Sequence, residues 1–329
     1  MVKSKLLLLT LLVTLLLSLG FAEVLRMAVI FPGSIQDGDY NSLGYVAMQE
    51  VSKHFGMDVT FSQRVAVPDA QRVMTEYILS GYNIIWAHGG QYVGAVKEVA
   101  PKYPDVTFII EDEAPPDPPL DNVITIGREY HLGFYVLGAL AAMVSETKNV
   151  GYIGGLQLPF TVGEINAVYQ AIQDTDPSVK LHYLYTGDFN DVLKARQGAE
   201  ALIAKGCDVI ISALNLGNYG LFEAVKRAER KVYFTATYTS KYQYAPENFL
   251  AADLFNFTPT LIQIIEGIKA GKRSGYVSME WGEGKARYTE LPVHNVSPEV
   301  NERVAKIAKA IETGEIQVIK NLREIVFEK

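Results

Sequence analysis

At 329 residues, with 49% hydrophobic and 20% charged residues, the chain has a globular composition and exceeds the size at which one packed core usually stops growing, so two domains are expected. A formal net charge of −7 argues against a nucleic-acid partner, which requires clustered lysine and arginine. The one cysteine, Cys207, excludes an internal disulfide and reads as a small buried hydrophobe ahead of a strand.

Residues 1–22 carry Lys3 and Lys5, a leucine-dominated run and then Gly20-Phe21-Ala22, the build of a secretory signal peptide with cleavage expected after Ala22. The apolar run is too short for a comfortable membrane span. The protein is therefore expected to be exported, to the periplasm or the cell surface. With no cysteine near the cleavage site, a lipid anchor is not expected.

An alternation of strand and helix follows. Apolar, β-branched runs at 26–31, 59–62, 84–87 and 107–110 read as buried parallel strands, separated by amphipathic stretches at 42–55, 69–80 and 93–102. The proline-rich connection 113–119 leads to a strand at 122–126 and a helix at 130–145. A second series places strands at 150–153, 181–185, 209–212 and 232–235, with helices at 162–173, 191–205 and 219–230. One more strand–helix pair covers 250–254 and 259–270, then strand-like sequence runs over 276–292. Ser297-Pro298 opens a terminal helix that stops at Gly314. The fold class is α/β, with two Rossmann-like lobes built on parallel sheets. Lobe 1 is expected over 23–128 plus about 246–273, and lobe 2 over 129–245 plus about 274–329.

In open α/β sheets the ligand lies beyond the carboxyl ends of the strands. Those segments hold Tyr40, Phe160, Phe189, Tyr238, Phe255 and Phe257, together with Asn41, Asn215, Asp39 and Asp253. Cations are scarce there, which suggests a neutral planar ligand held by aromatic faces, amides and carboxylates. Each aromatic has a plainer reading as a core or rim residue, and only convergence on one crevice favours function. His88 also follows a strand and could line a pocket, play a structural part or act as a base. Glu111-Asp112-Glu113 could hold calcium, but without spaced ligands a solvated acidic loop is the simpler reading. No phosphate-binding loop, dinucleotide fingerprint, nucleophile elbow or zinc spacing is present, so no cofactor and no metal are expected.

Several stretches carry a resemblance. Asp39-Tyr40-Asn41-Ser42-Leu43-Gly44-Tyr45, the strand Tyr103-Pro104-Asp105-Val106-Thr107-Phe108-Ile109, the helix from Gly133 to Ala142, Val150-Gly151-Tyr152-Ile153-Gly154-Gly155, Pro159-Phe160 and Gly206-Cys207-Asp208-Val209-Ile210 occur in the order seen in the basic membrane protein (Bmp) family. That resemblance implies an extracytoplasmic substrate-binding protein of an ABC importer, with a type I periplasmic binding protein fold whose two lobes are joined by three crossovers. It implies that Tyr40 and Phe160 sandwich a purine from opposite lobes while Asp39 and Asn41 reach its polar edge. Thr237-Tyr238-Thr239 stands where many members carry an Asp-x-Asp pair for ribose. Asn166 and Trp281-Gly282-Glu283-Gly284-Lys285 look more like the branch associated with free bases such as adenine.

The sequence thus leads to a monomeric, non-enzymatic binding protein for a purine base or nucleoside, partnered by a membrane permease, with Asp39, Tyr40, Asn41, His88, Phe160, Asn166, Asn215, Tyr238 and Asp253 at the ligand. A sugar or autoinducer on the same fold is the alternative, because aromatic faces also stack on pyranose rings. An exported nucleoside hydrolase using Asp39, Asp253 or His88 is more remote, since no paired acid and base are evident.

Overall fold

The computed structural model describes residues 24–328. The expected leader and its cleavage site lie outside the described residues. Among the described residues no helix is long and apolar enough to cross a membrane.

Two six-stranded sheets organise the chain. The first is built from β1 (Arg26–Ile30), β2 (Asp58–Ser62), β3 (Ile84–Ala87), β4 (Thr107–Glu111) and β5 (Val123–Gly127), with α1 (Tyr40–Phe55), α2 (Ala70–Leu79) and α3 (Val93–Val99) between them. β3, β4 and β5 are buried at every residue, the mark of parallel strands covered on both faces. α1 stops at Gly56, whose φ of 62° supplies the left-handed C-cap that a Cβ would disfavour.

α4 (Tyr130–Val144) carries the chain into the second lobe, which contains β6 (Asn149–Gly154), α5 (Pro159–Thr175), β7 (Lys180–Tyr185), α6 (Val192–Ala204), β8 (Val209–Ala213), α7 (Asn218–Arg227), β9 (Tyr233–Tyr238) and β10 (Phe249–Phe255). α4 is apolar nearly all round because it is enclosed by α5, the second sheet and the terminal helix. α6 begins where the Asp191 carboxylate accepts from the Lys194 backbone N–H at 2.9 Å, a side-chain N-cap.

After β10 the chain recrosses. α8 (Thr258–Lys269) packs on α1, and β11 (Gly275–Ser278) pairs in parallel with β5. A third crossing brings β12 (Arg287–Thr289), antiparallel to β10, and α9 (Pro298–Glu312), which packs on α4. Ser297 caps α9 by accepting from the Val300 N–H, with Pro298 at the first helical position.

The strand orders are β11-β5-β4-β3-β1-β2 and β12-β10-β9-β8-β6-β7. Here the expected lobe ranges are corrected. Residues 249–255 extend the second sheet beside β9, not the first, and Gly275–Ser278 joins the first sheet, not the second. Periodicity marks a strand as buried but carries no signal for which sheet takes it.

Candidate functional site

The strands of both sheets end on the crevice between the lobes, so the loops that follow them face one another. After β1 the loop folds back on Asp37. Its Oδ2 accepts from the Asn41 amide at 2.6 Å, and its Oδ1 from the backbone N–H groups of Asp39 and Ser42 at 2.9 and 3.0 Å. Across the crevice the Asn215 amide, after β8, donates to the same carboxylate at 3.0 Å. Burial works to raise this carboxyl, but the amides of Asn41 and Asn215 and the backbone donors hold it below its ordinary value.

Asp39 makes the second inter-lobe contact. Its Oδ1 accepts from Lys241 Nζ at 2.8 Å and Thr239 Oγ1 at 2.9 Å, both beyond the end of β9. Burial nevertheless pushes its carboxyl up to about 6, with Lys241 and Thr239 opposing the shift.

Glu111, at the end of β4, is the centre of the first lobe's contribution. It is fully buried and accepts from the Tyr40 hydroxyl and, at 3.2 Å, from Trp86 Nε1. His88 Nδ1 lies 2.5 Å from its Oε1. The register explains the meeting, because Ala87 pairs with Ile110 and the next positions along the two strands are His88 and Glu111. His88 stands behind Tyr40, their rings stacked 4.1 Å apart. Burial acts to raise Glu111, but His88, Arg128 and Tyr40 together hold it below the usual carboxylate range.

From the second lobe, Phe160 at the start of α5 lies between Tyr130, 5.1 Å away and 25° from parallel, and Phe189, 6.1 Å away and 17° from parallel. Tyr238 adopts a left-handed φ of 77°, a conformation that costs a side-chain-bearing residue about 1–3 kcal/mol and tends to persist at functional sites. Its ring leans on Tyr40 at 5.2 Å and its hydroxyl meets that of Tyr130 at 3.1 Å. Aromatic rings from both lobes therefore converge, as the strand-end reading expects.

Two guanidiniums also enter the crevice, correcting the expectation that cations are scarce. Arg128 follows β5 and lies 4.6 Å over Phe160 and 4.8 Å over Tyr130. Arg287, on the short strand β12, pairs with Asp253, donates to the Arg128 carbonyl and lies 4.2 Å over Phe255. Both are buried. Sequence reasoning passed over them because Arg128 sits in the two-residue link between β5 and α4 and Arg287 lies in an edge strand of three residues.

The acidic run after β4 is not a solvated loop. Glu111 and Glu113 are 0% and 4% exposed, held by Tyr40 and Trp86 and by the backbone N–H groups of Arg128 and Glu129. Glu113, Glu129 and His131 lie close enough to share a cation. Lys320 Nζ already sits 3.3 Å from Glu113 and 2.9 Å from Glu129, so an ammonium of the chain balances the carboxylates.

Asn166 departs from its expected place. Its amide donates to the carbonyls of Asn321 and Glu324 at 3.1 and 2.8 Å and its oxygen accepts from the Val326 N–H at 3.0 Å, so it clasps the C-terminal tail. Asn41 is engaged in shaping its own loop, also accepting from the Gly33 N–H at 3.2 Å. Asp253 is fully buried against Arg287, and a Cβ at Gly133 would stand 2.3 Å from its carboxylate, so only glycine lets α4 approach so closely. Glu164, one helical turn beyond Phe160, accepts from the Tyr152 hydroxyl at 2.6 Å, and burial pushes its carboxyl well above the usual range. No feature of the sequence singled it out.

The side chains fill much of the crevice. The gap lined by Asp37, Asn215, Tyr219, Thr239, Lys241 and Tyr244 measures about 40 Å³, so a larger solute enters this region only when the lobes part.

Comparison with known proteins gives the arrangement its context. A purine-binding protein of Brucella abortus is 24% identical over 297 residues, covering 89% of this chain and 83% of its own. A Haloferax volcanii protein, provisionally named an ABC transporter glucose-binding protein, is 26% identical over 310 residues, covering 90% and 74%. The crystal structure of an Aeropyrum pernix ABC transporter solute-binding protein superposes with a TM-score of 0.76 at 19% identity over 91% of this chain and 94% of that one. That likeness shows the fold, the type I periplasmic binding protein architecture. A profile described as ABC transporter substrate-binding protein, PnrA-like, matches residues 24–321. The chain accordingly belongs to the Bmp family of PnrA-like ABC transporter substrate-binding proteins.

Proposed function

We propose that this protein is exported, acts as a monomer, and captures a purine base or nucleoside between its lobes for delivery to a membrane permease. The observation that carries the reading is the convergence of Tyr40 and His88 from one lobe with Tyr130, Phe160, Phe189 and Tyr238 from the other, bordered by carboxylates and amides. Stacking of a base on such rings contributes about 1–3 kcal/mol. With the lobes parted, the base enters between Tyr40 and Phe160. Closure then re-forms the Asp39–Lys241 and Asp37–Asn215 contacts around it. Asn215 Oδ1, buried and without a partner, is a ready acceptor for a ring N–H. The Brucella relative's name supports the same class. Asp39, Tyr40, Phe160, Asn215 and Tyr238 form the ligand shell, while Asn41, His88 and Asp253 support it from behind.

Calorimetric titration of ligand-stripped protein with adenine, guanine, hypoxanthine, xanthine and their nucleosides is the direct test, and silence from all of them removes the purine reading. The Haloferax relative's name favours a sugar as the second reading. Binding of glucose without purine binding would establish that reading instead. N-terminal sequencing of the secreted protein is expected to begin at Glu23.

A further inference from the structure

We propose that Arg128 reads the edge of the captured base and makes the cleft prefer 6-oxopurines, such as hypoxanthine and guanine, over 6-aminopurines such as adenine. The inference rests on the purine reading above and narrows it.

Arg128 is 2% exposed, so its guanidinium is cut off from water and depends on the protein or a ligand for its hydrogen bonds. At Nε and Nη2 the protein supplies charge but not those bonds. Nη1 lies 3.7 Å from Glu111 and Nε 3.5 Å from Glu113, both longer than an N–H···O hydrogen bond. Nε and Nη2 have no hydrogen-bond partner. These two atoms can present parallel N–H donors on one edge of the planar group. Its Cζ lies 4.6 Å over the Phe160 ring and 4.8 Å over the Tyr130 ring, so the guanidinium, with that edge, stands beside the rings offered as the stacking platform.

Gly90 leaves that edge uncovered. A Cβ there would stand 3.2 Å from Arg128 Nη2 and 3.6 Å from Phe160 Cε1, occupying the approach to both. Arg287 differs, because its two terminal nitrogens are engaged by the Arg128 carbonyl and by Asp253.

A bidentate donor edge matches two adjacent acceptors. Hypoxanthine and guanine present O6 and N7 in that arrangement, the pair that arginine reads in guanine. Adenine presents N7 beside an amino group, so the same approach sets N–H against N–H and leaves a buried donor unpaired. Replacing N7 by carbon removes one of the two acceptors without changing the stacking surface greatly.

The experiment is calorimetric titration of the mature, ligand-stripped chain with hypoxanthine, 7-deazahypoxanthine and adenine. Hypoxanthine is expected to bind about 5- to 150-fold more tightly than either, the discrimination of one bidentate pair. Arg128→Lys keeps the positive charge against Glu111 and Glu113 but lacks the forked edge, and in this variant the advantage of hypoxanthine over adenine is expected to collapse. Adenine or the deaza analogue binding the unmodified protein as tightly as hypoxanthine overturns the inference and leaves the purine reading standing. Silence from all three, and from guanine, removes the purine reading and the inference with it. If circular dichroism shows that Arg128→Lys does not fold, the comparison of the three ligands on the unmodified protein still decides.

Discussion

Replacing Lys241 by methionine is expected to shift the protein towards its open form, by an amount that depends on pH. Lys241 and Asp39 come from different lobes, both side chains are almost fully buried, and their charged atoms are 2.8 Å apart. Removing one member of a buried pair typically costs about 3–5 kcal/mol, because the other charge is left uncompensated. Asp39 has a cheaper route. Its carboxyl already stands at about 6, so at pH 7 it can take up a proton for about 1.4 kcal/mol. The Lys241 hydrogen bonds to Thr239, at 2.9 and 2.6 Å, lie within one lobe and add nothing to closure, so the cost stays at about 1.4 kcal/mol. This cost falls on the closed form, since parted lobes return both groups to water. The closed population should drop by about tenfold relative to the open one.

The sign of the pH effect follows from the raised carboxyl. Asp39 favours the closed form fully below its ordinary value of 3.8, and that contribution is lost as pH rises through about 6. Near pH 5 the closed form holds Asp39 largely neutral, so the effect of removing Lys241 should shrink. Small-angle scattering, or the distance between labels on the two lobes, measures this in the unmodified protein and in Lys241→Met at pH 7 and pH 5. Equal closure of the two at pH 7, or a difference that does not diminish at pH 5, would refute the reasoning.

Tyr40→Ala or Phe160→Ala should weaken ligand binding at least about tenfold by calorimetry, with the circular dichroism spectrum retained; unchanged affinity in both misplaces the stacking platform. Asn166→Ala should lower unfolding free energy in urea by about 1–3 kcal/mol through the loss of three tail contacts while leaving ligand affinity unchanged. A tenfold loss of affinity there would restore Asn166 to the ligand. Burial lowers His131 to about 4, so its contribution to stability is present above 6.5 and is lost as pH falls towards 4, by up to about 3 kcal/mol. Denaturant titrations across that range should show a flatter acid limb for His131→Asn, and parallel curves would dismiss the buried-neutral histidine.

The lobes were readable from sequence because covered parallel strands are nearly unbroken apolar runs, as in Met27–Ile30 or Val123–Ile126, and the segments between them keep helical spacing. The aromatic residues of the crevice were readable for a related reason, since strand ends mark where a ligand site forms. The acidic triplet was misread because three acids in a row resemble a solvated loop, although β4 carries Glu111 inward and backbone donors take up Glu113. Pairing His88 with Glu111 required the β3–β4 register, and that is knowable only once the strand order is. Asn166 sits on a helix face that could meet either ligand or tail, and its partners lie more than 150 residues further along the chain. The sheet identity of residues 249–255 was equally hidden, because both candidate edges would have buried the same apolar residues.

The tail after α9 has a consequence for how this protein could be shortened or extended. Lys320 grips Glu129 at the start of α4 and the Tyr276 hydroxyl on β11, while residues 321–326 are held by Asn166 on α5. A chain ending at Gly314 would keep every strand and every α-helix of the fold, yet it would lose a tether that joins the two lobes alongside the three crossovers. Such a truncation should yield a protein that folds but whose lobes move more freely. A reporter fused behind the tail would sit on the second lobe, where the Phe327 ring packs against Tyr169 on α5 and Tyr183 on β7, and would ride with that lobe as it moves.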